Sequence, residues 1–284
     1  MILQMIINGV LGGLMYVVMA LGFTLIFGIM RIVNFAHGEF YMAGAVLVML
    51  LFGQFGWPFF VAVAAAGVLS AALGMLCERL LFRKLVGEEL PGMIMSLAVS
   101  IILQSLALLA FGPAEQSIAR PFDGTWTLFG AIVPWDRTVV AIGSVVILLA
   151  FYAFLRLSRY GIAMQAVAQD RETASLMGVE AGSVYSMSFG IACLLASLAG
   201  ALMAPVYTVG PYIGSLPMLK AFVVVILGGL GSVPGAVLGG LLLGLSESAL
   251  ATTFGSTIAL IASFIVVLCV IIVRPSGLMG RKGA

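Results

Sequence analysis

Charged residues gather into a few short clusters along the chain, and long apolar stretches separate these clusters. A helix needs about 20 predominantly apolar residues to cross the hydrocarbon core of a bilayer. The pattern therefore predicts an all-α polytopic membrane protein with about eight to nine transmembrane or re-entrant helices. The stretches that contain no Asp, Glu, Lys or Arg are Met1–Met30, Phe40–Cys77, Leu90–Ala114, Thr138–Leu155, Ala181–Leu219, Ala221–Ser246 and Ser248–Val273.

Polar interruptions between these stretches predict the helix boundaries and two long loops, 112–137 and 156–182. Trp126 and Trp135 in the first loop are of the type favoured at membrane interfaces. Two further apolar pieces flank the run Gly228–Gly235. The expected helices are Ile6–Ile29, Phe40–Phe52, Pro58–Phe82, Pro91–Phe111, Thr138–Leu155, a sixth from the end of the second loop to about Tyr207, and a last one over Ser256–Val273.

The overall composition excludes several classes of protein. Of the 284 residues, 63% are hydrophobic and 8% are charged, and the mean hydropathy is +1.24. Soluble domains average about 45–50% apolar and about 25% charged residues. The chain could not cover a water-facing surface with polar groups, so we exclude a soluble enzyme, a nucleic-acid-binding protein and a disordered protein.

The chain also lacks the residue sets that membrane enzymes need. His37 is the single histidine, and no His, Cys, Asp and Glu residues have the spacing of a metal site. No GxxxxGK[ST] phosphate loop is present, so the chain cannot hydrolyse ATP alone. We therefore expect no metal and no cofactor.

Glycine is abundant, with 35 residues. Glycine lets membrane helices approach each other closely. The runs Gly9–Gly13 and Gly235–Gly240 place small residues on one face of a helix, which predicts tight helix packing.

Basic residues near helix ends mark the cytoplasmic side of a membrane protein. The number of helices between the basic clusters is consistent with a common side for all of them. We expect the 156–182 loop and the C-terminus to be cytoplasmic, and the 112–137 loop and Met1 to face outside. The clusters are Arg79, Arg83 and Lys84; Arg156, Arg159 and Arg171; and Arg274, Arg281 and Lys282.

Two apolar regions, one in each half of the chain, are interrupted at 31–39 and at 228–235. Such paired interruptions inside the membrane indicate a pathway built from discontinuous helices. We expect the break over Asn34–Glu39 to lie at the cytoplasmic end of that pathway. Lys220 is expected to extend its ammonium group to the interface from a helix end, and Glu247 either ends its helix on the outside or lines the pathway.

The 156–182 loop is long for a simple connection, and loops of this length are usually functional. Asp170 is a good N-cap for a short helix over Arg171–Met177, and Gly178 suits the position just after the helix end. Such a short capped helix is suited to dock into a protein groove. A plain connecting loop is the alternative.

Three motifs carry a family resemblance. The run Gly161–Val179, with its Ala166-x-Ala168-x-Asp170 pattern, resembles the cytoplasmic coupling segment of ABC importer permeases. The motif Asn34–Tyr41 and the run from Lys220 through Gly228–Ala236 resemble the branched-chain amino-acid importer permeases of the LivH type. The closing run Arg274–Arg281 fits the same family, so the resemblance covers nearly the whole chain.

The resemblance implies a single transmembrane permease domain over residues 1–284 in the bacterial cytoplasmic (inner) membrane. It would form the translocation pathway of an ATP-driven importer. Its partners would be a second permease subunit, homologous or identical, two ATP-binding cassette subunits and a soluble substrate-binding protein. The alternatives are an importer of the same type for urea or short amides, and a stand-alone channel or secondary carrier.

The resemblance also assigns roles to residues. Gln165 stands where family members usually have Arg, so a charged contact to the ATPase is missing. The residues expected to couple to the ATPase are Gly161, Gln165, Ala166, Ala168, Asp170, Arg171, Glu172, Ala174 and Gly178. Those expected in the pathway or its gate are Asn34, His37, Gly38, Glu39, Gly228, Gly229, Gly231, Ser232 and Pro234.

The pathway segments offer mainly apolar side chains, with no arginine–aspartate pair to hold both ends of an amino acid. We therefore expect weak substrate binding within the membrane, and we expect selectivity to follow the soluble binding protein.

Overall fold

The computed structural model of the chain describes residues 2–128, 130–274 and 277–280. Helices make up most of these residues, so the prediction of an all-α polytopic membrane protein is confirmed. The helices are α1 (Ile2–Met30), α2 (His37–Val48), α3 (Phe59–Cys77), α4 (Glu89–Phe111), α5 (Trp135–Leu157), α6 (Arg159–Gln169), α7 (Arg171–Leu176), α8 (Ala181–Met203), α9 (Ser215–Gly228), α10 (Val233–Phe254) and α11 (Ser256–Val273).

Shorter elements complete this framework. A π-helical turn, Met49–Gln54, follows α2, and a second one, Glu78–Phe82, extends α3 into a 3-10 turn, Arg83–Leu85. The 112–137 loop contains an antiparallel hairpin of β1 (Thr125–Leu128) and β2 (Ala131–Pro134). By length and apolar composition, six helices could cross a membrane: Ile2–Met30, Phe59–Leu85, Glu89–Phe111, Trp135–Leu157, Ala181–Met203 and Val233–Phe254.

Serine and glycine residues set several helix boundaries within this apolar sequence. The hydroxyl of Ser158 accepts a hydrogen bond from the backbone N–H of Gly161 over 2.9 Å, which caps α6. The hydroxyl of Ser232 accepts from Gly235 over 3.2 Å and caps α10. These bonds satisfy N–H groups that have no partner within a helix. Gly255, at φ 92°, ends α10 in a conformation that favours glycine and lets α11 begin at once.

The core of the bundle is built around α1 and α8. In their most apolar 18-residue windows, 61% of the α1 residues and 78% of the α8 residues are buried. The corresponding figures for α4 and α5 are 17% and 22%. Helices α2 and α3 pack on α8, while α9 and α10 pack on α1. The largely exposed α4 and α5 therefore lie at the periphery.

Glycine allows the central helices to touch along their backbones, as the small-residue runs predicted. A Cβ atom on Gly13 of α1 would lie 2.9 Å from the carbonyl oxygen of Gly240 in α10. A Cβ atom on Gly44 of α2 would collide with the backbone of Ser197 in α8. Close backbone approach at small residues stabilises membrane helix pairs through van der Waals contact.

The end of α1, the loop before α4 and the start of α8 meet at one end of the bundle. Gly87 donates its backbone N–H to the carbonyl oxygen of Met30 over 3.3 Å. Arg83 donates to the carbonyl oxygen of Gly182 over 2.8 Å. We call this the basic end, because it carries Arg79, Arg83, Lys84, Arg156, Arg159, Arg171 and Arg274, whereas Arg281 and Lys282 lie outside the described residues.

The opposite end carries the 112–137 loop, and we call it the hairpin end. The side-chain amide of Gln4, at the start of α1, donates to the carbonyl oxygen of Ile132 and accepts from its N–H, over 2.9 and 3.0 Å. Gln116 and Val209 form an isolated antiparallel bridge. The two long loops thus lie at opposite ends, in agreement with the predicted parity.

The run Gly228–Gly235 is a turn at the basic end, so the prediction of an interruption inside the membrane is wrong at this position. Gly231 in the turn faces Gly28, near the end of α1. The N–H of Leu278, in the C-terminal segment, donates to the carbonyl oxygen of Leu227 over 2.9 Å. The short turn joins α9 to α10 where both helices reach the end of the bundle.

The second interruption lies instead at residues 204–214, and it mirrors the first. Helix α1 runs to the basic end, residues 31–36 turn back, and α2 begins inside the bundle. Helix α8 runs to the hairpin end, residues 204–214 turn back, and α9 begins inside the bundle. The backbones of Gly38 and Gly214 touch, so the two short helices start beside each other. Paired units of opposite direction are typical of transport proteins.

A larger side chain at Gly44 should destabilise the bundle. Gly44→Val would force α2 away from α8, and overpacking of this kind costs about 1–3 kcal/mol. We expect a clear fall in the melting temperature of the detergent-solubilised protein, measured by fluorescence-detected size exclusion after heating. Gly12→Val is the matched control, because a Cβ on Gly12 meets nothing within 4 Å. Equal melting temperatures for the two variants would contradict the packing described.

Candidate functional site

The start of α2 places two ionisable side chains deep inside the bundle. His37 is fully buried, and its Nε2 lies 3.0 Å from the carbonyl oxygen of Met19, near the middle of α1. The carboxylate of Glu39 accepts hydrogen bonds from Ser100 over 2.9 Å and from Gln104 over 2.7 Å, both on α4. The prediction that Asn34–Glu39 lies at one end of the pathway is therefore wrong for His37 and Glu39, because residues 31–36 carry the chain inward before α2 begins.

Side-chain hydrogen bonds support the non-helical segment 31–36. The N–H of Phe35 donates to the hydroxyl of Ser96 over 3.0 Å, and this hydroxyl lies 3.3 Å from the carbonyl oxygen of Val33. The side-chain oxygen of Asn34 accepts from the N–H of Ala36 over 3.1 Å. Non-helical backbone at membrane depth is tolerated only where protein or water satisfies its polar groups. Asn34 and Ser96 therefore stabilise the break that allows α2 to start here.

Some polar atoms around this break have no hydrogen-bond partner among the described residues. They are buried, and buried polar atoms normally find a partner in protein or in ordered water. A polar group passing between the helices could use them as donors or acceptors. These atoms are Asn34 Nδ2, His37 Nδ1 and Glu39 Oε2.

Aromatic rings close the space between the two short helices. Phe222 on α9 packs against Phe23 on α1, with ring centroids 5.9 Å apart, and against Phe35 in the break, at 6.1 Å. Phe23 also meets the ring of His37 edge-on at 6.1 Å. The polar start of α2 is thus shielded by apolar rings, an arrangement suited to a gate.

Lys220 forms an ion pair in the interior of the bundle, so the prediction that it extends to the interface is wrong. Its ammonium donates to Glu247 Oε1 over 2.6 Å and to the hydroxyl of Tyr16 over 2.7 Å. The Tyr16 hydroxyl in turn donates to Glu247 Oε2 over 2.9 Å. Glu247 lies two turns before the end of α10. We call Tyr16, Lys220 and Glu247 the charged triad.

The predicted pathway residues after α9 belong to the turn at the basic end. Gly229 and Gly231 have φ values of 104° and 78°, which favour glycine. A Cβ atom on Gly228 would collide with the backbone of Gly235. Gly228 and Gly235 therefore permit the sharp reversal between α9 and α10, because neither carries a side chain. Their role in a gate, with that of Ser232 and Pro234, stays a prediction.

The 156–182 segment forms two short helices at the basic end, α6 and α7. The predicted N-cap is confirmed: Asp170 accepts hydrogen bonds from the N–H groups of Glu172 and Thr173 over 2.9 and 3.1 Å. The hydrogen bond from the Thr173 hydroxyl is the main reason that the pKa of Asp170 lies below its usual value. Gly178 follows α7 with φ 85°, a conformation that suits its predicted position.

The candidate coupling residues divide between an inner and an outer face. Gly161 packs against the end of α5, and Ala174 is buried, so these two hold the segment on the bundle. Gln165 donates from its side chain to the carbonyl oxygen of Leu155, which ties α6 to α5. The residues with exposed or half-exposed positions are Gln165, Ala166, Ala168, Asp170, Arg171, Glu172 and Gly178, together with the apolar Leu176 and Met177.

Sequence reasoning missed several residues that the fold brings to these sites. Ser100 and Gln104 come from α4, and Gly214 comes from the other half of the chain. Tyr16 could have been suspected, because a tyrosine hydroxyl inside an apolar stretch needs a hydrogen-bond partner. The other three carry no local signal.

Comparisons with known proteins find relatives over almost the whole chain. A family model described as "Branched-chain amino acid transport system / permease component" matches residues 5–273. The high-affinity branched-chain amino acid transport system permease protein LivH of Escherichia coli K12 is 34% identical, over 98% of this chain and 96% of that protein. The permease protein LivM of the system of the same name in Salmonella typhimurium is 27% identical, over 94% of this chain and 68% of that protein.

The fold also has a counterpart among solved structures. A chain of PsaBC from Streptococcus pneumoniae in complex with Fab gives a TM-score of 0.50 at 15% identity, over 92% of this chain and 90% of that chain. At this identity the likeness concerns the fold alone. The family match covers almost the whole sequence, and the similarity to LivH runs from end to end. The chain therefore belongs to the family of branched-chain amino acid transport system permease components.

Proposed function

We propose that the chain is one of two permease subunits of an ATP-driven importer of branched-chain amino acids. The observation that carries this proposal is the end-to-end match to the permease family, in which the LivH relative is described as a branched-chain amino acid permease. The whole chain, 1–284, then acts as a single permease domain in a bacterial cytoplasmic membrane. It requires no metal or cofactor of its own.

The basic end of the bundle faces the cytoplasm in this proposal. An excess of Lys and Arg near helix ends favours the cytoplasmic side. This orientation places α6, α7 and the C-terminal segment in the cytoplasm, and it places the 112–137 loop and the N-terminus outside. The hydrogen bond of Arg83 to Gly182 supports a common location for these basic clusters.

The α6–α7 segment is the docking element for a cytoplasmic ATP-binding cassette subunit. Leu176 and Met177 are 88% and 81% exposed, at the side of the segment remote from the bundle. Exposed apolar side chains beside a capped helix suit insertion into a groove of a partner protein. The complete importer contains two such ATPases, a second permease that is homologous or identical, and a soluble substrate-binding protein.

Motion of the docked segment would reach the pathway through α5 and α8. Gln165 and Gly161 attach α6 to the end of α5, and α8 begins directly after α7. Helix α8 packs along α2, whose start lies beside Gly214. Closure of the ATPases around ATP would therefore displace α8 and with it α2. ATP drives this change only if it binds one state more tightly than the other.

A test of the proposed function is reconstitution of the chain in liposomes, with and without its partners. We expect uptake of leucine, isoleucine or valine only when the second permease, the ATPases, ATP and the binding protein are all present. Flux through the chain alone would overturn the proposal and favour a channel or a secondary carrier. Uptake of urea or short amides in place of the amino acids would overturn the substrate assignment.

Loss of the cap on α7 should uncouple transport. Asp170→Ala removes the oxygen that accepts from Glu172 and Thr173, and we expect uptake to fall about tenfold, with normal membrane insertion. Asp170→Asn is the matched control, because asparagine retains a capping oxygen. Wild-type uptake by Asp170→Ala, measured in proteoliposomes, would count against the assignment of the coupling helix.

Selectivity should follow the soluble binding protein. If the binding protein is exchanged for one of different specificity that still docks, we expect the imported substrate to change accordingly. The exchanged binding protein is one specific for a different zwitterionic amino acid, and the measurement is competition among radiolabelled leucine, valine and that amino acid. Retention of the original preference after the exchange, or micromolar affinity of the isolated permease, would show that this expectation is wrong.

His37 should act by hydrogen bonding and not by proton transfer. In His37→Gln the side-chain amide can still donate to the carbonyl oxygen of Met19, 3.0 Å from Nε2 in the native protein. We expect uptake to remain within about threefold of the wild type, because the hydrogen bond survives while titration is lost. If His37→Gln lost all uptake while the wild-type protein retained it, a proton-transfer role for His37 and the secondary-carrier alternative would be favoured.

A further inference from the structure

The charged triad joins opposite charges from two consecutive helices to a tyrosine from a helix that is distant in the sequence. Lys220 comes from α9, Glu247 from α10 and Tyr16 from α1. The ammonium of Lys220 also lies 4.8 Å from the centroid of the Tyr16 ring. Lys220 and Glu247 therefore each have an oppositely charged partner, and the Tyr16 hydroxyl contacts both of them.

The triad lies within the thickness of the membrane and is only partly buried. Tyr16 is at the middle of the 29-residue α1, and Glu247 is well inside the 22-residue α10. The side chains of Lys220 and Glu247 remain 16% and 20% exposed. Charged side chains at this depth normally face a protein-lined or water-filled space and mark a substrate pathway. The exposed part of the triad is thus suited to face the pathway.

We propose that the charged triad binds the zwitterionic head group of the transported amino acid, and this rests on the proposed import function. The Lys220 ammonium would receive the α-carboxylate, while the Glu247 carboxylate would receive the α-ammonium. The Tyr16 hydroxyl, which now bridges the pair, would donate to a carboxylate oxygen. Leu216 lies four residues before Lys220 on the same helix and is 53% exposed, so an aliphatic side chain would meet an apolar surface beside the charges.

Exchange of partners explains why such a site selects a zwitterion yet binds it weakly. When a zwitterion enters, Lys220 and Glu247 each lose one opposite charge and gain another, so no charge is left unpaired. A carboxylic acid without an amine, or an amine without a carboxylate, would leave one partly buried charge without a partner, which is costly. Because the substrate competes with the internal ion pair, its affinity stays low and release remains fast.

The predicted pathway segments contain no arginine–aspartate pair to hold both ends of an amino acid, and in this proposal the lysine–glutamate pair takes that role. Lys220 and Glu247 are separated by 26 residues that contain no charged side chain, so the sequence shows them as unrelated. The turn between α9 and α10 brings them to 2.6 Å. Weak substrate binding within the membrane stays a prediction, and competition with the internal ion pair supplies its physical cause.

The test uses the complete importer in proteoliposomes and compares ATP hydrolysis with leucine uptake. The variant is Lys220→Met with Glu247→Gln, which removes both charges together and leaves neither unpaired. We expect leucine uptake to fall about tenfold or more, since the head group loses both partners. ATP hydrolysis stimulated by the binding protein should stay within about twofold of the wild type, because the coupling segment is intact.

A second ion pair provides the matched control. Arg120 and Asp136 lie 3.8 Å apart at the hairpin end, and neither contacts a residue of the triad. Arg120→Gln with Asp136→Asn also removes one positive and one negative charge, and we expect normal leucine uptake. If both double variants transport equally well, the triad is not a substrate site.

The remaining outcomes separate this proposal from the proposed function. Loss of complex assembly in Lys220→Met with Glu247→Gln, seen by size exclusion, would assign the triad to a contact between permeases and overturn the substrate site. A parallel loss of ATP hydrolysis and leucine uptake in this variant would also overturn the substrate site. Normal leucine uptake by this variant overturns the site alone, whereas failure of the wild-type complex to import leucine overturns the proposed function.

Discussion

The whole fold depends on one constraint: backbone N–H and C=O groups inside a bilayer must find partners within the protein. Continuous helices such as α1 and α8 meet this constraint by themselves. The break before α2 cannot, so side chains take over its hydrogen bonds, with Ser96 bonded to Phe35 and Asn34 bonded to Ala36. The short helices can begin deep in the bundle only because neighbouring helices satisfy the interrupted backbone.

Close packing of backbones is the second requirement for these interior helix starts. Gly38 meets Gly214 where α2 and α9 begin, and Gly44 lies against Ser197 along α8. A helix that spans the membrane could tolerate larger residues at its lipid face. The half-length helices α2 and α9 offer less surface for packing than a helix that spans the membrane. They must therefore pack more closely against their neighbours. The abundance of glycine and the presence of discontinuous helices are thus two aspects of the same architecture.

Much of this arrangement could be predicted from local patterns. Asp170 and Gly178 bound a short helix at the basic end because the capping preferences act within three residues. The depth of His37 and the position of Lys220 could not be predicted in this way. His37 follows a non-helical segment whose path depends on α4, and Lys220 pairs with Glu247 only after the chain reverses at Gly229–Ser232.

The sequence by itself determined the class of the protein, the approximate helices, the family and the ends at which the loops lie. These properties follow from apolar length, charge clustering and short motifs, all of which are local. Only the tertiary structure decided which interruption lies inside the membrane and which charges meet. Hydrophobic periodicity is nearly uniform along these segments, so it carries no information on depth. Pairings such as that of Tyr16 with Glu247, 231 residues apart, depend on the packing of glycine-rich backbones across the bundle.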